Sequence, residues 1–200
     1  MKQIGLQKAA DKLRRASQAL DRIKKNHISG DTFETFIDDD WSLFLESLNS
    51  AYEVLLATSR KSSSQNMQWF GSKPKKTVKN DSLLRYLRAA RGSDFHGIEK
   101  ITKTTQKIDY AAPNQPPPAI SFHVKTNTGE TVVLGGPESE WITLTNPEVK
   151  LIPIVDQYST EFKLPATHLG DDLEDKTLVA LAEAGLRYYL SLLSDCESLS

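Results

Sequence analysis

Apolar positions recur at helical spacing in four stretches of the chain. Leu6, Leu13 and Leu20 stand seven residues apart, and Ala9, Ala16 and Ile23 each follow three later. That is the a/d stripe of an amphipathic helix. Lys8, Lys12, Arg14, Arg15, Arg22, Lys24 and Lys25 occupy its other faces. The late cations suit the negative end of the helix dipole, and Gly30 suits a C-terminal cap. A second helix is predicted to start at Asp31, an N-cap with Glu34 three residues on. Phe33, Ile37, Trp41, Phe44, Leu48, Ala51 and Leu55 keep a helical period down to about Thr58. Two such helices in succession form an αα-hairpin.

Residues 59–80 lose that period. SRKSSSQN and GSKPKKTVKN read as loop, and MQWF at 67–70 reads as an apolar plug against the bundle. Asp81 then caps a third helix, DSLLRYLRAARGSDFHGIEKI, with Leu84, Leu87, Ala90 or Arg91, Phe95 and Ile98 along one side. Pro113, Pro116, Pro117 and Pro118 rule out helix interior over 110–118. Beyond them the period drops to two. Strands are expected at 119–125 and 130–134 around a turn with Asn127 and Gly129, and again at 141–145 and 149–155. Pro153 restricts the last to an edge or a bulge. A final helix from about Asp175 carries Leu178, Leu181, Gly185, Tyr188, Leu192 and Cys196 at three- and four-residue spacing. The expected fold is one mainly α domain over 1–200. A helical bundle comes from 1–112 and 171–200. A β-hairpin or small antiparallel sheet over 113–170 is inserted between the third and last helices.

The chain has 200 residues, enough to bury a core without disulfide or metal staples. Its 38% hydrophobic and 26% charged content argues for a soluble globular protein rather than wholesale disorder. No apolar run approaches the ~18 residues of a membrane span, so no membrane partner is expected. The first residues, MKQIGLQKAADKLRR, lack the apolar core of a secretory leader. Cys196 is the single cysteine, which excludes an internal disulfide framework and a Cys-rich zinc site. A cytoplasmic location is the expectation.

Charge is balanced overall and uneven along the chain. Arg60 to Arg91 holds nine basic residues and one acid, a net charge of +8; Glu130 to Asp175 holds ten acids and two bases, a net charge of −8. Such asymmetry permits a polyanion-binding face, and equally permits the two segments to attract each other.

The chemistry-bearing constellation is LLRYLRAARGSDFHGIEK at 83–100, with Arg91 and His96 five positions apart. On a helix that spacing leaves them ~140° apart in azimuth, yet the long arginine stem lets both reach one groove. Arginine supplies a fixed fork for phosphate oxygens, and histidine moves a proton near neutral pH. Cleavage of a phosphodiester by the ribose 2′-hydroxyl needs those two functions and no metal. The bland alternative pairs Arg91 with Asp94 and makes His96 a helix-end residue beside Gly97.

The Arg-x4-His pattern, preceded by Leu83, Leu84, Tyr86 and Leu87 within a helical bundle, resembles the HEPN superfamily. Its signature is Arg-x4-6-His, and Arg91 and His96 match its ends. The resemblance implies a bundle of four or five helices, a homodimer whose two motifs line a shared cleft, and RNA as a partner. For active members it implies metal-independent endoribonuclease activity in antiviral defence or in toxin–antitoxin pairs, where an antitoxin protein is a further partner. The position after the arginine, commonly polar in active members, is Gly92 here. The roles so implied are phosphate clamp for Arg91 and general acid/base for His96. Lys73, Lys75, Lys76, Lys79, Arg85 and Arg88 would position the nucleic-acid backbone. No cofactor and no metal are called for. Two other readings stay open: a non-catalytic module binding a nucleic acid, a nucleotide or an acidic protein, and a structural helical interaction protein.

The remaining candidates are weaker. Asp38, Asp39 and Asp40 point around a helix rather than at one ion. His27, His123 and His168 lack metal-ligand spacing, although the fold could bring His168 to the Arg91/His96 region. Gly135 and Gly136 lack the rest of a phosphate loop. Trp41, Phe44, Tyr188 and Tyr189 read as core, and Cys196 as packing.

Overall fold

The first helical stripe is buried along its whole length. Leu6, Ala9, Leu13, Ala16, Leu20 and Ile23 are each no more than 5% exposed. They lie on helix α1 (Gln3–Ser29) in a computed structural model of the chain, which describes residues 1–29, 33–95, 102–105, 108–111, 122–125, 131–134, 141–144, 148–156 and 158–199. Helix α2 (Phe33–Arg60) buries Trp41, Phe44, Leu48, Ala51 and Leu55 against it. The two run antiparallel. Arg22, late in α1, bonds Asp40, early in α2, at 2.7 Å, while Gly5 at the start of α1 lies against Thr58 at the end of α2. A Cβ at Gly5 would meet the whole β-branched Thr58 side chain, so glycine is what lets these helix ends close. The predicted cap at Gly30 lies outside the described residues.

Residues 59–80, expected as loop, form two further helices, α3 (Ser64–Ser72) and α4 (Pro74–Asn80). The residues that suggested loop are helix-start residues here. The Ser63 side chain caps α3 by accepting from the Asn66 amide, and Pro74 sits in the first turn of α4, where its missing N–H costs nothing. Asn66, Phe70, Pro74 and Val78 all face inward at four-residue spacing. The polar Asn66 and the proline hide that stripe from a hydrophobicity reading. Its side-chain amide is satisfied by the Ser62 hydroxyl at 2.9 Å and the Leu199 carbonyl at 3.3 Å.

Helix α5 (Ser82–Phe95) is the segment read as the third helix; Asp81 caps it by accepting from the Leu84 amide at 2.9 Å. Leu84, Leu87 and Ala90 are buried as predicted; Ile98 lies outside the described residues. The closing helix α6 (Leu178–Ser198) is capped by Thr177 and buries Leu178, Leu181, Gly185, Leu192 and Cys196. Antiparallel to α1, it is tied to it at both ends, by Lys24–Glu183 at 2.6 Å and by the Met1 ammonium donating to the Leu199 carbonyl at 3.0 Å. Six helices are thus present among the described residues, and none of these is long and apolar enough to cross a membrane.

The strands begin earlier than expected. β1 (Thr102–Thr105) pairs with β6 (Glu148–Leu151), and β2 (Ile108–Ala111) pairs antiparallel with β5 (Trp141–Leu144). Between them β3 (Phe122–Lys125) and β4 (Thr131–Leu134) form the expected hairpin, with Phe122 opposite Leu134. Pro153 interrupts the predicted strand at 149–155, since proline cannot donate to a ladder. The chain restarts as β7 (Ile154–Val155), which pairs with β8 (Glu161–Phe162). β9 (Thr167–His168) and β10 (Asp171–Asp172) close a last small hairpin. Residues Met1–Thr104 with Val149–Ser200 form one compact unit, and Thr105–Glu148 forms a second.

Several ionisable groups are sealed in the helical unit. Burial pushes the Cys196 thiol and the Tyr188 hydroxyl each up to about 12. It raises Tyr86 and Tyr189 too. Each group holds its proton more tightly folded than unfolded. Their contribution is therefore complete below about pH 9 and is lost as pH climbs toward about 12. The thermal midpoint should fall steadily above about pH 9, and iodoacetamide should label Cys196 at about pH 8 only on unfolding. A midpoint constant from about pH 8 to 11 would contradict this.

Candidate functional site

Helices α4 and α5 place cations on one side of the helical unit. Lys75 and Lys79 from α4 and Arg85 and Arg88 from α5 line a cleft of ≈ 780 Å³ together with Arg60, the last residue of α2. Glu53 and Asp156 are the acids in this lining, so it is net positive by three. The rings of Tyr52, Tyr158 and Phe162 complete it with small apolar residues. Helix α5 packs against α2, α4 and both strands of the β7–β8 hairpin, so it runs through the middle of the site.

The arginines lie over rings. The Arg85 guanidinium is 5.6 Å from the Phe162 ring centroid, and that of Arg88 is 5.9 Å from the ring of Tyr52. Arg88 also stands 3.7 Å from Glu53, a half-exposed pair worth little by itself. Tyr52 is backed from the core by Phe70 at 5.7 Å and Tyr189 at 6.3 Å. Desolvation by burial raises its hydroxyl, with Arg88 opposing. These contacts favour one orientation of each planar cation, which lowers the entropy lost when they engage an anion.

The hairpin is fixed as firmly. The buried Tyr86 hydroxyl on α5 donates to the Ile152 carbonyl at 2.7 Å, and Ile154 is 1% exposed. At the tip, Asp156 Oδ1 accepts from the Tyr158 and Thr160 amides at 2.9 and 2.8 Å. Ser159 takes a left-handed φ of 62° to close the turn.

The sequence-derived site residues divide accordingly. Lys75, Lys79, Arg85 and Arg88 come together in the cleft. Lys73, at the α3–α4 junction, and Lys76 are exposed and do not line it. Arg91 sits half-buried near the end of α5; the cleft lining includes its neighbour Gly92 and not Arg91. His96 lies outside the described residues. Arg60 belongs to the basic segment but was not among the expected site residues. Tyr158 and Phe162 come from the acidic half of the chain and carry no local signal.

His168 does not reach Arg91. Its Nδ1 lies 3.1 Å from Asp81 Oδ1 at the start of α5, ten residues and ~15 Å of helix away. Asp81 Oδ2 accepts from the Leu169 amide at 2.6 Å, and Ser82 donates to the Thr167 carbonyl. This knot clamps the β9–β10 hairpin to the cap of α5. Replacing Asp81 with alanine removes the cap of α5 and the acceptor that ties Leu169 and His168 to it, so a loss of about 1–3 kcal/mol is expected in urea unfolding. A loss below about 1 kcal/mol would mean the knot is not a clamp.

Trp41, Phe44 and Tyr189 are core, and Tyr188 is half-buried against it, ring edge to His168. Asp40 of the acidic run is spent on Arg22. Among the described residues no group of three or more His, Cys, Asp or Glu is placed to hold a metal ion. No protein-family model, curated protein or solved structure matches the chain.

Proposed function

We propose that this is an RNA-directed protein that binds a single-stranded RNA segment in the basic cleft. One observation supports this above the others: five cations and three aromatic rings from four separate elements line one cleft of ≈ 780 Å³. Phosphates bind guanidinium and ammonium groups, and unpaired bases stack on rings. An acidic protein partner would use the cations but has no special need of the rings.

A cutting centre of the HEPN type at Arg91 and His96 is the second reading. It draws on Gly92, which lines the cleft and brings the motif's turn of α5 to its rim. In that reading a homodimer would juxtapose two such motifs, and the described part of the cleft would hold the strand for them.

The test is direct. A fluorescein-labelled, unstructured RNA should bind the purified chain with affinity that falls as salt rises. For three to five engaged phosphates, the log–log slope should be between about −2 and −3.5. No measurable binding at low salt would refute the RNA reading. Incubation with RNA in EDTA should give 2′,3′-cyclic phosphate ends if the second reading is right, and His96→Ala should abolish them. Full cleavage by that variant would remove His96 from the assignment.

A further inference from the structure

Tyr158 is the most exposed large hydrophobic side chain among the described residues, at 78%, and its backbone is hydrogen-bonded into the hairpin turn. An aromatic ring left in water on a loose loop would be unremarkable. Here the described turn residues carry backbone hydrogen bonds. Asp156 pins the backbone on both sides of it, accepting from the amides of Tyr158 itself and of Thr160. The strands below are in register, Ile154 opposite Phe162, and Phe162 is held under Arg85. The tip therefore presents a solvent-facing ring to a cleft that five cations also line.

From this we infer that Tyr158 is the base-stacking residue of the cleft, against which one unpaired base of the bound strand lies flat while its flanking phosphates meet Arg60, Lys75 and Lys79. This rests on the RNA reading above and names the part of the strand that the cleft recognises. A tyrosine has only two side-chain torsions to order on binding, and every base has a π-face, so the contact selects unpaired bases rather than a sequence. Arg85 and Arg88 already lie over Phe162 and Tyr52, so Tyr158 is the ring of the cleft with no cation over it among the described residues. A duplex hides its base faces and cannot use the contact.

The experiment compares labelled single-stranded RNA with its duplex on wild-type protein and the variants Tyr158→Ala, Tyr158→Trp and Lys79→Ala. Tyr158→Ala should weaken single-strand binding roughly 10-fold, with an unchanged salt slope and little effect on the duplex. Tyr158→Trp should restore affinity and show indole quenching on binding that exceeds the wild-type change. Lys79→Ala should flatten the salt slope by about 0.7 instead. Because the ring is exposed, the melting curves of the Tyr158 variants should superpose on wild type. Tyr158→Ala binding as tightly as wild type, while Lys79→Ala loses affinity, would overturn the stacking assignment and leave RNA binding intact. If wild type binds neither RNA, both proposals fall together.

Discussion

Replacing Trp41 with alanine is expected to destabilise the chain by about 3–5 kcal/mol. Trp41 is fully buried and stacked on Phe44, with centroids 5.3 Å apart and planes within 13°. It sits where α2 meets α1, the most extensive helix pairing in the bundle. Removing it opens a cavity that two long helices cannot collapse without breaking their register. The indole N–H has no acceptor among the described residues. Trp41→Phe should therefore cost far less than its lost volume suggests, because it also removes a buried unpaired donor worth about 1–3 kcal/mol. Chemical unfolding of the two variants checks this. A phenylalanine variant as unstable as the alanine one would mean the indole N–H is satisfied.

Reversing two cleft cations, Arg60→Glu with Lys79→Glu, is expected to lower RNA affinity by about 100-fold, or about 3 kcal/mol. The matched control is Lys73→Glu with Lys76→Glu. It changes net charge by the same amount on neighbouring backbone, but neither lysine lines the cleft. Long-range field effects act on both pairs, and direct contact acts on one. The control should lose roughly fivefold or less. Equal losses from the two pairs, measured at one salt concentration, would mean that the basic segment attracts RNA diffusely and that the cleft is not its seat.

The long helices were legible because their burial follows a single period. All six stripe residues of α1 and the described stripe residues of α2 are core. The β3–β4 hairpin was legible from its alternation and its turn residues. What stayed hidden has a physical cause in each case. Helices α3 and α4 are short, and their inward row is Asn66, Phe70, Pro74 and Val78, which hydropathy scores as broken. Ser63 and Pro74 are turn formers by composition and helix starters by position, and only the fold distinguishes the two uses.

The site divides along similar lines. Four of its cations were visible as one basic run around α4 and α5. Arg60 belongs to that run, and the structure brings it in from the end of α2. Tyr158 and Phe162 come from beyond the second compact unit, and no local pattern joins them to a lysine more than eighty positions earlier. Loops and hairpins supplied by long-range return of the chain are where function concentrates and where sequence period says least. Arg91 shows the converse. Its spacing to His96 is plain in the sequence, yet the cleft takes in its neighbour Gly92 rather than Arg91 itself.

The pairing of β1 with β6 has a practical meaning. It brings the backbone just before the second unit beside the backbone just after it. Thr105–Glu148 thus leaves and re-enters the helical unit through a single doorway. Domains joined in this way commonly tolerate excision and exchange, because a short turn can close the doorway. The helical unit, with its cleft, is in this respect a host, and the strands between its two gateposts are a cassette that could be swapped without rebuilding the house.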